Sequence, residues 1–237
     1  MAKNIVVIGS SGAIGKEFVK QLSFSDNIVY SFSRTNPNIN KNNVFYHSID
    51  YQDEGSIKQA ARIATENSSI NMVIVATGVL HTVDVWPEKS INELSFNNFT
   101  QIFQANTFSP ALIAKHFLPK LTKASPAIFA VLSARVGSIA DNRLGGWYAY
   151  RASKAALNMI IKNLAIEMAR SNKQAKIIGL HPGTVDSDLS RPFQANVAKE
   201  KLFTPEFATT KLLEVLNNHS NLESGFLYAW DGKKIEF

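Results

Sequence analysis

The sequence contains no cysteine, which excludes disulfide bonds and metal sites built on thiolates. It has no apolar run close to the ~20 residues that a membrane span requires. Its first residues, MAKNIVVI, also lack the basic and then apolar pattern of a signal peptide. We therefore expect a cytoplasmic protein with no membrane partner.

Acidic residues are outnumbered, with 19 Asp and Glu against 25 Lys and Arg and a net charge of +6. A nucleic-acid-binding surface needs its basic residues gathered into a patch, but here they are scattered, and the densest group, Lys199 to Lys201, includes Glu200. We expect no nucleic-acid partner, although the charge would attract anionic ligands such as phosphorylated cofactors. Because His81 and His181 stand without partnered ligand spacing, we also expect no metal site.

Short β-branched runs alternate along the chain with segments of helical periodicity, a pattern typical of a parallel sheet with crossover helices. The first run, NIVVIG, is apolar at successive positions, as expected of a strand buried on both faces. With no internal repeat and no long linker, the sequence predicts a single α/β domain with a doubly wound parallel sheet of the Rossmann type. The predicted strands are 5–8, 28–32, 44–47, 72–76, 127–132, 176–179 and 226–229.

Three long helices are predicted, at about 11–23, 95–121 and 148–171, from apolar residues at helical spacing. Residues 184–204, by contrast, have weak periodicity and include a proline. We predict that this segment forms a loop with one short helix, of the mobile kind that covers a substrate site.

A glycine-rich turn follows the first strand, in IVVIGSSGAIGKEF, with Gly9, Gly12 and Gly15. Glycines allow positive φ and let main-chain amides approach an anion, and the helix N-terminus adds a partial positive charge for a pyrophosphate. The alternative is a tight turn without a ligand, since the spacing departs from the usual Gly-x-Gly-x-x-Gly fingerprint.

The segment after the second strand, YSFSRTN, distinguishes between two dinucleotides. A cofactor with a free ribose hydroxyl usually meets an acidic residue there, and a 2′-phosphate meets a basic one. Ser33 and Arg34 could hold a phosphate together, and no acidic residue appears until Asp50. We therefore favour NADP(H) over NAD(H); the alternative is an exposed arginine that ends a strand.

The stretch WYAYRASKAAL places Tyr150 and Lys154 four residues apart, hence on one face of the third predicted helix. A free tyrosine has a pKa near ~10. An adjacent ammonium would lower that pKa and make the pair usable in general acid and base catalysis. Taken alone, the pair is better explained by a surface helix that carries both residues by chance.

These motifs are collinear with those of the short-chain dehydrogenase/reductase family, which the chain resembles over essentially its whole length. GSSGAIG is similar to the family's glycine turn, and HSIDYQD has an aspartate where the family contacts adenine. FQANTFSPALIAKHFLP resembles the helix with the active-site asparagine, YRASKAALN resembles the catalytic motif, and HPGTVDSDL resembles the segment against the nicotinamide. Within the family, ARVGSI and YRASKAALNM are most similar to the sniffer-like and C-factor-like branch of carbonyl reductases.

The resemblance implies an NAD(P)-dependent enzyme in which Tyr150 exchanges a proton with the carbonyl oxygen of the substrate. Lys154 would bind the nicotinamide ribose and lower the tyrosine pKa, and Asn106 would hold a water that connects Lys154 to solvent. It also implies a homodimer or homotetramer, assembled through helices 95–121 and 148–171. The expected catalytic residues are Tyr150, Lys154, Asn106 and Ser133. The expected cofactor-binding residues are Gly9, Ser11, Gly12, Ile14, Gly15, Ser33, Arg34, Asp50, Tyr51, Ala76, Thr77, Gly78, Asn106, Tyr150, Lys154, Pro182, Gly183, Thr184 and Val185.

Two motifs depart from the family pattern. The serine that orients the substrate carbonyl is the second residue of Ser-Ser-x-x-Gly, but SARVG places Ala134 there and Ser133 one residue early. Adjacent strand residues point to opposite faces, so Ser133 can replace that serine only where the strand has ended or twisted, and Ser138 is a further candidate. VATGVL has Thr77 where the family has an asparagine that ties neighbouring strands together.

Our first hypothesis is therefore an NADPH-dependent oxidoreductase that reduces a small carbonyl substrate, such as an aldehyde, ketone or quinone. The alternative is a nucleotide-binding sensor or signalling protein of the same fold with little or no catalysis. The missing serine at position 134 and the C-factor resemblance motivate that alternative. Trp86, Trp147, Leu80 and Leu144 fit either an apolar substrate cleft or the core.

Overall fold

The computed structural model describes residues 2–237 as an alternation of strands and helices. In chain order, the elements are β1 (Asn4–Ile8), α1 (Ala13–Leu22), β2 (Ile28–Ser33), β3 (Val44–Ser48), α2 (Glu54–Ile63), β4 (Met72–Val75), α3 (Phe96–Phe103), α4 (Ser109–Phe117), β5 (Ala127–Leu132), α5 (Tyr148–Ser171), β6 (Ala175–His181), β7 (Thr184–Val185), β8 (Leu202–Phe203), α6 (Pro205–Asn217), β9 (Leu227–Ala229) and β10 (Lys234–Ile235). All seven predicted strands are present, and their ends agree within two residues. Three two-residue strands, β7, β8 and β10, had no recognisable sequence pattern.

Eight strands form one sheet in the order β10-β9-β6-β5-β4-β1-β2-β3. The pairs are parallel except for β10, which runs antiparallel to β9 at the edge. The chain moves outward from β1 to β3 and then crosses to β4 on the other side of β1. This reversal confirms the predicted doubly wound Rossmann-type fold, and it opens a crevice at the carboxyl ends of β1 and β4.

The sheet is buried on both faces, because alternate residues of each strand enter different apolar layers. On one face, side chains such as Val73 and Phe129 pack with α2, α4 and α5. On the other face, side chains such as Val7 and Ile74 pack with α1 and α6. Leu157 and Ile161 seat α5 on the first layer, so the helix that carries Tyr150 is fixed by the core.

The predicted helix at 95–121 is present as an unbroken helical segment from Phe96 to Lys120, but it is not α-helical throughout. A π-helical turn at Gln104–Phe108 separates α3 from α4, and a 3₁₀ turn at Leu118–Lys120 ends the segment. Pro110 has no N–H to donate to the carbonyl four residues back, that of Asn106. Such π turns are frequent at functional sites, and this one places Asn106 beside the crevice.

The predicted loop at 184–204 is tied at both ends. β7 and β8 pair with each other in parallel, Thr184 with Leu202 and Val185 with Phe203, and not with the main sheet. Between them lie two short 3₁₀ helices, Arg191–Asn196 and Lys199–Lys201. Among residues 2–237, no helix is both long enough and apolar enough to cross a membrane.

Candidate active site

A cavity of about 520 Å³ lies at the carboxyl ends of the central strands. Its walls come from the glycine turn, the ends of β4, β5 and β6, the start of α5 and the segment after β7. Most of the predicted cofactor-binding residues meet there, as do Ser133 and Ala134. The predicted cofactor-binding residues that line it are Ser11, Gly12, Ile14, Ala76, Thr77, Gly78, Tyr150, Lys154, Pro182, Gly183, Thr184 and Val185.

The glycine turn brings main chain against main chain at two positions. Gly9 has φ +88°, and a Cβ there would lie 2.8 Å from the main-chain carbon of Ala76. At Gly15 a Cβ would lie 2.1 Å from the Gly9 oxygen. Gly12 is the N-cap of α1, whose first turn has no capping side chain and no acidic residue. The free amides of this turn therefore fit a pyrophosphate.

Ser33 does not face the cavity, contrary to the prediction that it helps to hold a phosphate. Ser31 donates to Ser10 (2.8 Å), Ser10 donates to Ser33 (3.0 Å), and Ser33 donates to the Thr35 carbonyl (2.6 Å). All three serines are completely buried. Because β2 continues through Ser33, its side chain lies on the same face as that of Ser31, and this serine chain fastens the glycine turn to β2.

Arg34 is exposed directly after β2, beside the glycine turn. Its guanidinium carbon lies 5.9 Å from the ring centre of Tyr51, within the range of a cation–π contact. Burial raises the pKa of Tyr51 to about 12, so the ring stays neutral. Asp50 accepts a hydrogen bond from the Gln52 N–H (2.9 Å) and shapes the turn after β3.

Tyr150 and Lys154 both line the cavity from the first turns of α5, with exposed fractions of 9% and 3%. The Lys154 Nζ donates to the Leu132 carbonyl (3.0 Å) and lies 5.9 Å from the centre of the Tyr150 ring. A Cβ at Gly78 would lie 3.5 Å from Lys154 Nζ and 3.6 Å from Asn106 Oδ1. The phenol, the ammonium and the asparagine therefore converge at the end of β4.

Burial dominates the proton affinities of this pair. It raises the pKa of Tyr150 to about 12 and lowers the pKa of Lys154 to about 8. Loss of hydration on burial therefore sets the net direction of the Tyr150 pKa shift. The opposing effect of the Lys154 charge on this pKa stays a prediction. Near neutral pH the phenol is protonated and can act as an acid.

Asn106 is completely buried, and its side chain forms three hydrogen bonds with protein groups. Its Oδ1 accepts from the Val79 N–H (2.8 Å), and its Nδ2 donates to the Val79 carbonyl (2.8 Å) and to Ser153 Oγ (3.2 Å). The amide thus clamps the chain after β4 to α5. The expected role of Asn106 in holding a water stays a prediction; the structure shows this clamp, and Pro110 donates no N–H to the Asn106 main-chain carbonyl.

Ser133 and Ser138, the two candidates for the missing serine, both form hydrogen bonds with protein groups. Ser133 borders the cavity, but its hydroxyl donates to the Asn158 Oδ1 (2.7 Å) on the buried side of α5. Ala134 packs instead with Tyr150 and Trp147 at the substrate end. Ser138 accepts a hydrogen bond from the Asp141 N–H within its own turn. A methyl group therefore stands at the position of the family serine, and the role of Ser133 in orienting the carbonyl stays a prediction.

Thr77 does not take over the role of the family's asparagine, because its buried hydroxyl has no hydrogen-bond partner among the described residues. Its place in the cavity wall comes from its position at the end of β4. The predicted loss of a tie between strands is thus a structural property of this chain.

An apolar wall stands in front of Tyr150. The ring of Trp147 lies 6.2 Å from that of Tyr150 and 5.1 Å from that of Phe193, between ring centres. Phe193 also contacts Trp86 and His81, which stack on each other at 5.3 Å. Leu80 lines the cavity as well, whereas Leu144 is 91% exposed. Phe193 was not predicted, because only the fold brings its loop to this wall.

His181 ends β6 and lines the cavity. Burial, assisted by the charge of Arg135, lowers its pKa to about 4. Its Nδ1 is buried with no hydrogen-bond partner in residues 2–237. The ring is therefore neutral at physiological pH, and it acts as a wall residue rather than a charge.

A doubly wound sheet with a glycine turn at its switch point and a Tyr-x-x-x-Lys pair in the adjoining cavity defines a dinucleotide-dependent oxidoreductase. The family model described as short chain dehydrogenase matches residues 3–198. The chain belongs to this family and is an NAD(P)-dependent dehydrogenase or reductase.

Curated relatives cover most of the chain. An uncharacterised oxidoreductase of Schizosaccharomyces pombe is 27% identical, across 98% of this chain and 96% of its own length. The C-signal protein of Myxococcus xanthus is also 27% identical, across 62% of this chain and 82% of its own length. The resemblance to the C-factor-like branch is therefore confirmed.

Two solved carbonyl reductases share the fold. The NADPH-bound enzyme from chicken fatty liver superposes with a TM-score of 0.82 at 24% identity, covering 100% of this chain and 99% of its own. The Sniffer enzyme of Drosophila melanogaster gives a TM-score of 0.83 at 21% identity, covering 100% of both chains. The sniffer-like architecture is thus confirmed along the whole chain.

Proposed function

We propose that this enzyme reduces small, predominantly apolar carbonyl compounds with NADPH, and that Tyr150 is the proton donor. The observation that carries the proposal is the position of the Tyr150 phenol: it is almost buried, neutral, and set between Lys154 and an apolar wall. Aldehydes, ketones and quinones fit this wall, since it offers rings and methyl groups rather than charges.

The cofactor would be held at its phosphates by the glycine turn and at its 2′-phosphate by Arg34. The exposed guanidinium after β2 supports NADP(H) over NAD(H), because no carboxylate stands at this strand end to accept a ribose hydroxyl. Ser33 is not assigned this role, because its hydroxyl is buried and donates to the Thr35 carbonyl. Pro182 to Val185 and Gly78 would lie against the nicotinamide half.

The bound cofactor supplies the hydride. Tyr150 gives its phenolic proton to the carbonyl oxygen, which needs a neutral phenol at the reacting pH. Lys154 is an ammonium below pH about 8, and its charge stabilises the phenolate that remains. Trp147 and Phe193 exclude water from the reacting carbonyl.

The 184–204 segment is proposed as the substrate loop of this single domain, because Phe193 and Val197 reach the cavity from it. We also propose a homodimer or homotetramer. The helices predicted to form the interface expose Phe108, Met159 and Ile166. Light scattering on the purified protein tests this assembly, and a monomer at all concentrations would refute it.

The reaction is tested by incubating the protein and NADPH with a panel of aldehydes, ketones and quinones and measuring NADPH consumption. Tyr150→Phe should lower turnover about 10²- to 10⁴-fold with the Kd for NADPH nearly unchanged. Tyr148→Phe is the matched control, since Tyr148 is an exposed tyrosine on the same helix turn. Full activity in Tyr150→Phe would remove the mechanism.

Cofactor choice is tested separately, by fluorescence titration with NADPH and NADH. Arg34→Gln should raise the Kd for NADPH about 10- to 100-fold, the worth of a charge-assisted phosphate contact, and leave NADH binding unchanged. Arg62→Gln, at an exposed arginine on α2, is the control. Equal binding of both cofactors by the unaltered protein would contradict the assignment of Arg34.

The second candidate function is a nucleotide-binding sensor of the same fold. It is favoured by one observation, the methyl group of Ala134 where the family places a substrate-orienting hydroxyl. Tight NADPH binding with no turnover across the whole panel would support this function against the first.

A further inference from the structure

The entry to α5 is an unusual piece of backbone. Three successive residues, Gly145, Gly146 and Trp147, have φ values of +63°, +62° and +51°. Two of them are glycines, which adopt this region freely, but a bulky tryptophan does so only when its surroundings hold it there. Since Trp147 is also the N-cap of α5, the helix begins without a capping side chain of its own.

Glu88 supplies the hydrogen-bond acceptors that cap the N-terminus of α5. Its carboxylate Oε2 accepts a hydrogen bond from the Ala149 N–H (3.1 Å), and its main-chain carbonyl accepts one from the Trp147 N–H (2.5 Å). The side chain is 1% exposed. A residue 61 positions away in sequence thus caps the positive end of α5 through both its side chain and its main chain.

These two hydrogen bonds hold the main chain at Trp147 and at Ala149, where α5 begins. Ala149 immediately precedes Tyr150, and the indole of Trp147 packs against the Tyr150 ring and against Phe193. We propose that Glu88 is a positioning residue, which fixes the phenol of Tyr150 and the indole wall of Trp147 for proton transfer. The inference rests on the proposed role of Tyr150.

A contribution to stability does not explain why the Glu88 carboxylate is buried here. Its second oxygen, Oε1, is buried and has no hydrogen-bond partner among residues 2–237. A buried carboxylate with an unpaired oxygen carries a desolvation penalty, which a neutral capping group would reduce. Residues that are unfavourable for stability in a native structure cluster at functional sites.

The charge has a second effect on Tyr150. The phenol belongs to the third residue of α5, in the first turn, where the helix dipole favours a phenolate. The carboxylate of Glu88, placed at the same helix end, opposes that effect. It should therefore keep the phenol protonated, which is the form that donates to a carbonyl oxygen.

The test compares Glu88→Gln and Glu88→Ala with Glu93→Gln. Glu93 is the matched control, because it is an exposed carboxylate in the same loop that also accepts a main-chain hydrogen bond, from Lys89 (2.8 Å). The measurements are kcat and KM against pH, the Kd for NADPH, and the melting temperature. Glu88→Ala should lower kcat about 10-fold or more. The Kd for NADPH should change by less than about two-fold.

Glu88→Gln should retain most of the turnover, because the amide oxygen can still accept from the Ala149 N–H. Its alkaline limb in the pH profile should shift to lower pH, because removal of a negative charge favours loss of a proton from both Lys154, with a pKa of about 8, and Tyr150, with a pKa of about 12. A purely structural role would lower the melting temperature without moving that limb. The control should match the original protein in all of these measurements.

An unchanged pH profile in Glu88→Gln, or an unchanged kcat in folded Glu88→Ala, would overturn the proposal. Should Glu88→Ala fail to fold, the pH profile of Glu88→Gln decides alone. Alkaline ultraviolet titration of phenol absorbance, with Tyr150→Phe as background, reads the same shift without turnover. A shift in a protein that reduces no carbonyl would support the positioning role while refuting the proposed function, and no shift would refute the positioning role as well.

Discussion

The two ends of the cavity differ in whether main-chain or side-chain atoms form their surface. At the glycine-turn end the surface is main chain: Gly9 approaches Ala76, Gly15 approaches Gly9, and the N-terminus of α1 is left uncapped. At the tyrosine end the surface is side chain: Lys154 donates to the Leu132 carbonyl, and Trp147 packs against Phe193. One end therefore depends on close approaches between main-chain segments, and the other depends on contacts between side chains.

This difference sets how each end tolerates change. A main-chain surface with a left-handed residue accepts only glycine at its tightest points. A side-chain surface can lose or gain a single group and keep its shape, since its neighbours belong to several elements. Substitutions should therefore be severe at the first end and graded at the second, an expectation that the following variants examine.

The largest effect is expected for Gly9→Ala. Its φ of +88° and a Cβ 2.8 Å from the Ala76 main chain should together cost about 2–4 kcal/mol of unfolding free energy and abolish NADPH binding. Denaturant unfolding and cofactor titration measure both. Gly145→Ala is the matched variant, with φ +63° and no atom within 4 Å of the Cβ, and it should lose only about 1 kcal/mol. Equal losses in the two variants would show that the close approach is unimportant.

A graded effect is expected at the tyrosine end for Ala134→Ser. A hydroxyl added beside Tyr150 restores a donor to the developing oxyanion, and turnover should rise about 10-fold. Ser133→Ala should change kcat little, although it leaves buried Asn158 without its donor and lowers stability by about 1–3 kcal/mol. Steady-state kinetics and thermal unfolding separate the two. A large loss of kcat in Ser133→Ala would return that serine to the catalytic site.

An effect on stability that is confined to acid pH is expected at His181, whose folded pKa is lowered to about 4 by burial. The unfolded chain takes up this proton near pH ~6.5, whereas the folded chain does not. Stability should therefore fall as the pH drops from ~6.5 to about 4, and level off below that. His181→Gln should flatten this part of the curve of unfolding free energy against pH. A slope unaltered by the substitution would assign the acid sensitivity to other groups.

The sequence sufficed for features that depend on neighbours in the chain. The strand runs, the glycine turn and the Tyr150–Lys154 spacing are local patterns, and the structure has each of them where the pattern placed it. The direction of Ser33 could have been predicted too. Its alternation with Ser31 along β2 points both hydroxyls to one face, and burial of that face followed from the apolar strand.

Other features could not be predicted, because they join segments far apart in sequence. The side-chain amide of Asn106 forms hydrogen bonds with the main chain of Val79, 27 residues away. Glu88 caps a helix that begins 60 residues later. Phe193 joins the apolar wall from a loop without periodicity. The pKa of Tyr150 also depends on how deeply the fold buries it.

The small β7–β8 pair has a consequence for how this enzyme could acquire new substrates. It ties both ends of the segment 186–201 together outside the main sheet. This segment can therefore be replaced while the strand pairing of the main sheet stays intact. Exchanging it between relatives should transplant substrate preference while the cofactor half stays unchanged. A fold of this kind separates the evolution of recognition from that of hydride chemistry.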